Sequence, residues 1–451
     1  MALMIHDILR WLHTDASIPE GPITGVSIDT RSLQPGDLFV ALQGEHTDGH
    51  QFVDQALEKG ACAVLVSKFY PDTKTDKIIR VEDPLTALQE IAARRRKRCK
   101  RPVIAITGSN GKTTTKEMVA QVLKSTYQIH KTEGNLNNHI GVPLTLLKCP
   151  DQIDLMVLEM GMNHHGEIKR LCEIAVPTHG VITNIGRGHM GFFRSVEDIG
   201  QAKAELLESL RDSGTAFING DDPILKLYRQ TAANTIQFGF REGCQIRAKN
   251  ISVSGDCPAM IIDETEFHLN IPGEHQLYNA LAAVAVGISL KIPLRHMARS
   301  LADFQSCSQR MEKRIRGGVQ ILNDVYNANP DSMLAALKTL TALQAIRRIA
   351  ILGDMLELGD FSTREHVELG KQMRFMKIDR FYGVGPEMAK TVQSLNQNGS
   401  KRGYHFDHVG DIASELEGQL HPGDAVLVKG SRKMRMERIV DKMTEQIESD
   451  E

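Results

Sequence analysis

The run Thr107-Gly108-Ser109-Asn110-Gly111-Lys112-Thr113-Thr114-Thr115 has the residue types and order that a nucleotide phosphate requires. Glycines at 108 and 111 let the backbone turn its N–H groups toward an anion, and a helix opening at Lys112 adds the partial positive charge of its N-terminus. The lysine can reach terminal phosphate oxygens, and the Thr113 hydroxyl can reach a phosphate-bound Mg²⁺. The two glycines are closer together than in the longer G-x-x-x-x-G-K-[ST] loop, so this is a shortened variant. Further on, Asp154–Leu158 reads as a buried strand that delivers Glu159 to its end, where such a cation wants an oxygen ligand. His189 sits among glycines after another apolar run, and Lys203 lies on a helical stretch. Taken singly, a loop histidine and a helix lysine are ordinarily solvated side chains. Only as a set do they carry weight.

These residues need a scaffold of some size. With 451 residues, two or three domains are expected, and 41% hydrophobic with 24% charged residues is an ordinary globular balance. A formal net charge of -2 gives no bulk attraction for nucleic acid. No apolar run is long enough to cross a bilayer. The opening stretch Met1–Trp11 reads as an amphipathic helix without the features of a secretion signal. The seven cysteines are scattered, with no C-x-x-C pair, which disfavours both a disulfide framework and a zinc site and fits a reducing cytoplasm.

Short β-like runs at Asp37–Leu42, Ala61–Val66 and Lys77–Val81 define a first domain, residues 1–83. Pro84 opens a helix over 84–101 that ends in the basic run Arg94-Arg95-Arg96-Lys97-Arg98, read as a solvated linker face. The central domain, 84–308 with that linker, alternates strands with helices (Lys112–Leu123, Gly180–Thr183, Val196–Leu210, Gln276–Leu290), which predicts a mostly parallel sheet. From 309 to 451 the runs Val319–Leu322, Arg348–Leu352, Arg380–Val384 and Ala425–Val428 predict a doubly wound, Rossmann-like domain that would bind ligands at its strand ends.

Taken together, the motifs resemble the Mur ligase family over nearly the whole chain. The resemblance rests on the 107–114 loop, Glu133-Gly134-Asn135-Leu-Asn137-Asn138, Glu159, Thr183-Asn184-Ile-Gly with His189, Lys203, and Pro272-Gly273-Glu-His275 leading into Asn279-Ala280. Gln276 stands where the family commonly has Asn. The resemblance implies an α/β chain of three domains: a small N-terminal UDP-substrate domain, a central P-loop ATPase-like domain and the C-terminal Rossmann-like domain. It implies ATP held by Gly108, Ser109, Asn110, Gly111, Lys112, Thr113 and Thr114, with His275 and Asn279 on the adenine side. Mg²⁺ would be held by Thr113, Glu159, His189 and a carbamylated Lys203; Lys112, Lys203 and His189 would serve catalysis. Arg310 and Asp324 would approach the nucleotide from the C-terminal domain.

Flanking segments narrow the expectation. Ser27-Ile-Asp29-Thr30-Arg31 and Pro35–Gly44 resemble the part of the family that holds a UDP-sugar, which makes Ser27, Thr30, Arg31 and Gly44 substrate candidates, with Asn135 and Asn138 beside them. Asn323–Met333, Leu352–Gly359 and Lys429-Gly430-Ser431-Arg432 resemble the branch that joins D-alanyl-D-alanine to UDP-N-acetylmuramoyl-tripeptide in peptidoglycan synthesis. Asn327, Asn329 and Ser332 are then candidates for the dipeptide. The expected enzyme is a cytoplasmic, monomeric acid–amino-acid ligase that works through an acyl phosphate on small-molecule substrates, with no nucleic-acid partner and no membrane insertion. The alternatives are another Mur-type or a folylpolyglutamate-type ligase, or a P-loop nucleotide-binding module that makes no bond. The absence of an Asn-Lys-x-Asp guanine motif speaks against a GTPase.

Overall fold

Val103–Thr107 is five apolar-rich residues without alternation, and all five are buried because the strand lies inside a parallel sheet covered on both faces. That sheet has seven strands in the spatial order Ile246–Arg247, Asn234–Gly239, Thr215–Asn219, His179–Ile182, Val103–Thr107, Leu155–Glu159, Ile129–Lys131. Every pairing in it is parallel. After Val103–Thr107 the chain runs to the edge strand Ile129–Lys131, returns to Leu155–Glu159 beside the start, then crosses to His179–Ile182 and works outward on the other side. The carboxyl end of that strand is therefore the switch point, where open α/β sheets hold ligands. The structure, a computed structural model, describes residues 3–449 apart from 15, 72–74, 255, 400 and 417.

The C-terminal sheet has six strands: Glu312–Arg316 on an antiparallel edge, then Val319–Asp324, Asp424–Lys429, Arg347–Gly353, Arg380–Val384 and Gly403–Phe406, all parallel. Near the N-terminus, Val26–Ser27, Leu38–Val40, Ala63–Ser67 and Ile78–Val81 form a four-stranded parallel sheet. The helix expected at the very start is shorter, Ile5–Trp11, because Leu3–Met4 pairs with Pro22–Ile23 as a strand. A three-stranded antiparallel sheet, Lys249–Ser254, Cys257–Ile262 and Thr265–His268, was not anticipated from sequence; its buried Met260, Ile262 and Phe267 extend the core beneath the helix Gln276–Ser289.

The linker helix Pro84–Arg98 is capped by Asp83, whose carboxylate accepts from the Leu85 and Thr86 amides, with Pro84 preset for the first turn. Its basic end is not the solvated face that composition suggested. Arg96 is buried and donates to the carbonyls of Ala175 at 2.6 Å and Val176 at 3.0 Å, where the helix Glu167–Ala175 ends. Arg95 donates to the Cys149 carbonyl at 2.8 Å. Arg98 makes a two-pronged bond to buried Asp7, both at 2.7 Å, and stacks over the Trp11 ring at 4.5 Å. Of the five, Lys97 is left to solvent and Arg94 is exposed, paired with Glu90 one turn back at 3.1 Å. The run fastens the N-terminal and central domains to one helix.

Because Arg98 holds the Asp7 carboxyl below its ordinary 3.8, this fastening is at full strength above that pH and fades as acid protonates Asp7. Asp7→Asn is expected to lower stability by about 1–3 kcal/mol near neutral pH. The deficit relative to wild type should shrink below about pH 4. Urea melts at neutral and acidic pH measure both; an unchanged midpoint at neutral pH would mean the pair is idle.

Candidate active site

The phosphate loop is shaped by how closely its neighbours approach. Gly108 has φ +151°, and a Cβ there would fall 1.9 Å from Thr183 Oγ1. Gly111 has φ +79°, and a Cβ there would fall 2.3 Å from Asn279 Oδ1. The loop is also tied down: Thr183 Oγ1 donates to the Asn110 carbonyl at 2.6 Å, and the Asn184 side chain donates to that same oxygen at 3.0 Å while accepting from the Asn110 amide at 3.0 Å. The helix Lys112–Leu123 starts at Gly111 with its first amides aimed into the cleft. Lys112 curls back so that Nζ donates to the Gly108 carbonyl at 2.8 Å. Burial lowers its pKa, and the nearby Glu159 charge opposes that shift.

Glu159 ends the strand Leu155–Glu159 and is buried. Asn137 donates to Oε1 at 2.8 Å, whereas Oε2 is a buried acceptor with no partner. An orphaned carboxylate oxygen beside a phosphate loop is the feature a divalent cation satisfies. His189, held at φ +63°, brings Nδ1 within 2.9 Å of Glu357 Oε2, close in distance but not aligned as a hydrogen bond, so the ring nitrogen is a second orphan. Burial lowers its pKa against the pull of Glu357, which keeps the ring neutral. Lys203, on the helix Val196–Glu208, is 1% exposed and has no hydrogen-bond or ion-pair partner among the described residues. Burial first, and then the Lys112 charge, push its amine well below the lysine range. It lies behind the cleft wall, not on the cleft surface. Among the described residues no group of three or more His, Cys, Asp or Glu gathers as a metal site, so a cation on Glu159 would take its remaining oxygen ligands from hydroxyls, phosphate or water.

The cleft is about 670 Å³ and lies between the central and C-terminal domains. It is lined by Ser109 to Thr114, Asn138, Glu159 and His189, by His275 and Asn279 on one flank, and by Arg310, Asp324, Asn327, Asn329 and Ser332 on the facing domain. On the flank, Asn279 accepts from Thr115 Oγ1 at 3.1 Å and donates to Gln276 Oε1 at 2.8 Å; Gln276 in turn lies 3.1 Å from His275 Nε2. Gln276 therefore keeps a polar chain intact where the family commonly has Asn. Burial depresses the His275 pKa to about 4, so this ring too is neutral. On the facing domain, the Arg310 guanidinium lies 3.8 Å from the Tyr326 ring centroid. Asp324 accepts from Lys429 at 2.6 Å and from the Met311 amide at 3.0 Å. Asn329 and Ser332 form a capping box on the helix Pro330–Ala342, and Asn329 Nδ2 also donates to Asn110 Oδ1 at 2.8 Å. Asn327 accepts from the Ala328 amide with its own side-chain oxygen.

Asn135 and the N-terminal candidates do not line this cleft. Ser27 and Gly44 leave the carboxyl ends of two paired parallel strands, Val26–Ser27 and Leu38–Val40. There Ser27 Oγ donates to the Asp29 carbonyl at 2.9 Å, Thr30 Oγ1 to Gln55 Oε1 at 2.6 Å, and the Gly44 amide to the Thr47 carbonyl at 2.9 Å. Arg31 forks onto Asp29, which pulls that carboxyl down to about 2. Sequence reasoning assigned no site role to Asn137, Asn184, Tyr326, Glu357 or Lys429. Each lies against a neighbour named above, Tyr326 against Arg310, and all sit within or beside the segments that carry the resemblance.

Three family descriptions match consecutive parts of the chain: the Mur ligase family catalytic domain at 22–96, the Mur ligase middle domain at 106–287, and the Mur ligase glutamate ligase domain at 309–432. The chain belongs to the Mur ligase family. It is 38% identical to the UDP-N-acetylmuramoyl-tripeptide–D-alanyl-D-alanine ligase of Bacillus subtilis (strain 168), across 94% of this chain and 93% of that one. A crystal structure of MurF from Acinetobacter baumannii superposes with a TM-score of 0.90 at 29% identity, covering 99% of both chains. MurF from Thermotoga maritima in complex with ADP superposes with a TM-score of 0.85 at 30% identity, covering 95% of this chain and 99% of that one.

Gly111→Ala is expected to add strain at a left-handed position and drive a methyl into Asn279. That is on the order of 1–3 kcal/mol, a roughly ten- to hundredfold loss of ADP affinity. Calorimetric titration with ADP checks this, with circular dichroism confirming the fold; unchanged affinity would detach Asn279 and the loop from nucleotide binding.

Proposed function

We propose that this chain joins D-alanyl-D-alanine to UDP-N-acetylmuramoyl-tripeptide at the expense of ATP, in the cytoplasm, as a monomer. The observation that carries the reading is the cleft: a phosphate loop and an orphaned carboxylate face an arginine-bearing strand-end surface from a second Rossmann-like domain. Family membership along the whole chain, including the N-terminal part, supports the same reading over a folylpolyglutamate-type ligase or a bondless nucleotide module. No helix among the described residues is long and apolar enough to cross a membrane.

The reaction must bring a carboxylate up to a triphosphate, so neutralising charge is the main task. The tripeptide carboxylate oxygen bonds to the γ-phosphorus, the bridge to the β-phosphate breaks, and ADP leaves. The D-alanyl-D-alanine amine then attacks the acyl carbon, loses a proton, and phosphate departs. In this reading Lys112 and the loop amides hold the phosphates, Arg310 closes on them from the facing domain, and Asn327, Asn329 and Ser332 stand where the dipeptide enters. His275 and Asn279 flank the base. Ser27, Thr30, Arg31, Gly44, Asn135 and Asn138 take the UDP-substrate.

Mg²⁺ fits the orphaned Glu159 oxygen, with Thr113, His189 and Lys203 around it, and when bound it would screen the two anions from each other. Lys203 suits this role only after modification. As an ammonium it would repel both Lys112 and a cation. As the neutral amine that its burial favours, it can add carbon dioxide and release a proton, leaving an anionic carbamate.

Phosphate release from ATP should require D-alanyl-D-alanine and yield the UDP-pentapeptide by mass spectrometry; turnover with a single amino acid in its place would overturn the assignment. Lys203→Ala should lose on the order of 10²–10³-fold in kcat. Lys203→Glu, which restores an anion, should recover part of it, and ¹³C-bicarbonate should label the wild type at a carbamate carbon by NMR. Absence of that signal together with equal activity of both variants would remove the modified lysine from the mechanism.

A further inference from the structure

Arg187 is the one residue of the Asn184–His189 loop that reaches across to the C-terminal domain with a charge. Its Nε and Nη2 lie 2.9 and 2.6 Å from Asp331 Oδ1, its backbone amide donates to Asp331 Oδ2 at 2.6 Å, and Nη1 donates to Glu365 Oε2 at 2.7 Å. Glu365 is buried and makes no other side-chain bond among the described residues. Space is equally tight around it: a Cβ at Gly186 would fall 2.5 Å from Asp331 Oδ2, and one at Gly191 would fall 2.8 Å from the Gly359 amide nitrogen.

The other side of the same loop is bonded to the phosphate loop. Ser109 donates its amide to the Asn184 carbonyl at 2.9 Å, and its hydroxyl exchanges bonds with the Gly186 carbonyl at 3.1 Å and the Gly186 amide at 2.9 Å. Asp331 opens the helix Pro330–Ala342 two residues after Asn329, the residue that touches Asn110.

We propose that Arg187 is a positioning residue: its fork onto Asp331 and Glu365 latches the C-terminal domain against the phosphate loop, so that Arg310 and the dipeptide face are brought to bear on the nucleotide. The latch rests on the reading of the cleft as the ATP site. Its logic is electrostatic. Undocked, the C-terminal domain presents two carboxylates to one solvent-facing patch and the loop presents a lone guanidinium. Docked, the fork satisfies all three at once, and Arg is the side chain able to serve two carboxylates. The loop feels the phosphate loop through Ser109 and the opposite domain through Arg187, so occupancy of one and closure of the other are mechanically joined.

The test compares wild type, Arg187→Gln, Asp331→Asn and the double variant. At saturating non-hydrolysable ATP analogue and UDP-tripeptide, small-angle scattering should give Arg187→Gln and Asp331→Asn a larger radius of gyration than wild type, with thermal melts showing both folded. Each single variant should lose on the order of 10–100-fold in kcat, as expected when reacting groups are held about an ångström out of place. The double variant should lose no more than the worse single one. Identical radii, or losses that multiply, would overturn the latch. If wild type itself showed no dipeptide-dependent turnover, the proposed reaction would fall, while the scattering comparison would still decide the latch.

Discussion

Much of this molecule is arranged around a stretch of backbone that has no room for side chains. Gly108 and Gly111 are pressed against Thr183 and Asn279, residues far along the chain from the loop and delivered by two different elements. The parallel register that sets Ile182 opposite Thr107 puts Thr183 just past the strand end, where its hydroxyl meets the loop. The helix Gln276–Ser289 lies along the helix Lys112–Leu123, which lets Asn279 reach Thr115 and the loop together. A single added methyl at either glycine would displace a residue on which the nucleotide flank depends. The sheet order, the helix packing and the chemistry therefore share one tolerance.

Charge is the second organising quantity. Burial lowers the pKa of two lysines here, Lys112 and Lys203, and the Lys112 charge pushes Lys203 further down. Lys112 has carbonyl partners and the Glu159 charge on its side, whereas Lys203 has none. The asymmetry divides the pair. In the proposed reaction the first would meet phosphate as a cation, and the second would be the amine that takes up the carbamate. Burial also lowers the pKa values of His189 and His275 on the cleft wall.

The phosphate loop was legible because strand, turn and helix signals fall within a few consecutive residues, and the three-part α/β organisation was legible from alternating apolar runs. Other features depend on partners that sequence does not name. The basic end of the linker helix looks like a solvent face until Ala175, Val176, Cys149 and Asp7 are found opposite it. Among the antiparallel strands between Lys249 and His268, Cys257–Ile262 buries Pro258, Ala259 and Met260 in succession, so it shows no clean alternation of apolar and polar residues. In sequence Asn329 and Ser332 read as dipeptide contacts or as turn formers, and the helix they open is not visible there. They do form the cap, and Asn329 has a second bond to spare for Asn110. Glu357 and Lys429 gain their meaning only when two domains, or two strands distant in sequence, come together.

The seat of Arg310 has a further consequence. Its guanidinium rests on the face of Tyr326 and has no carboxylate partner among the described residues. An aromatic face orients a cation but, unlike an anion, cancels little of its long-range field. Arg187, by contrast, is neutralised twice over by Asp331 and Glu365. The two arginines on this interface thus differ in kind: Arg187 is held between two carboxylates, whereas Arg310 keeps a charge that, under the proposed function, would meet the phosphates undiminished.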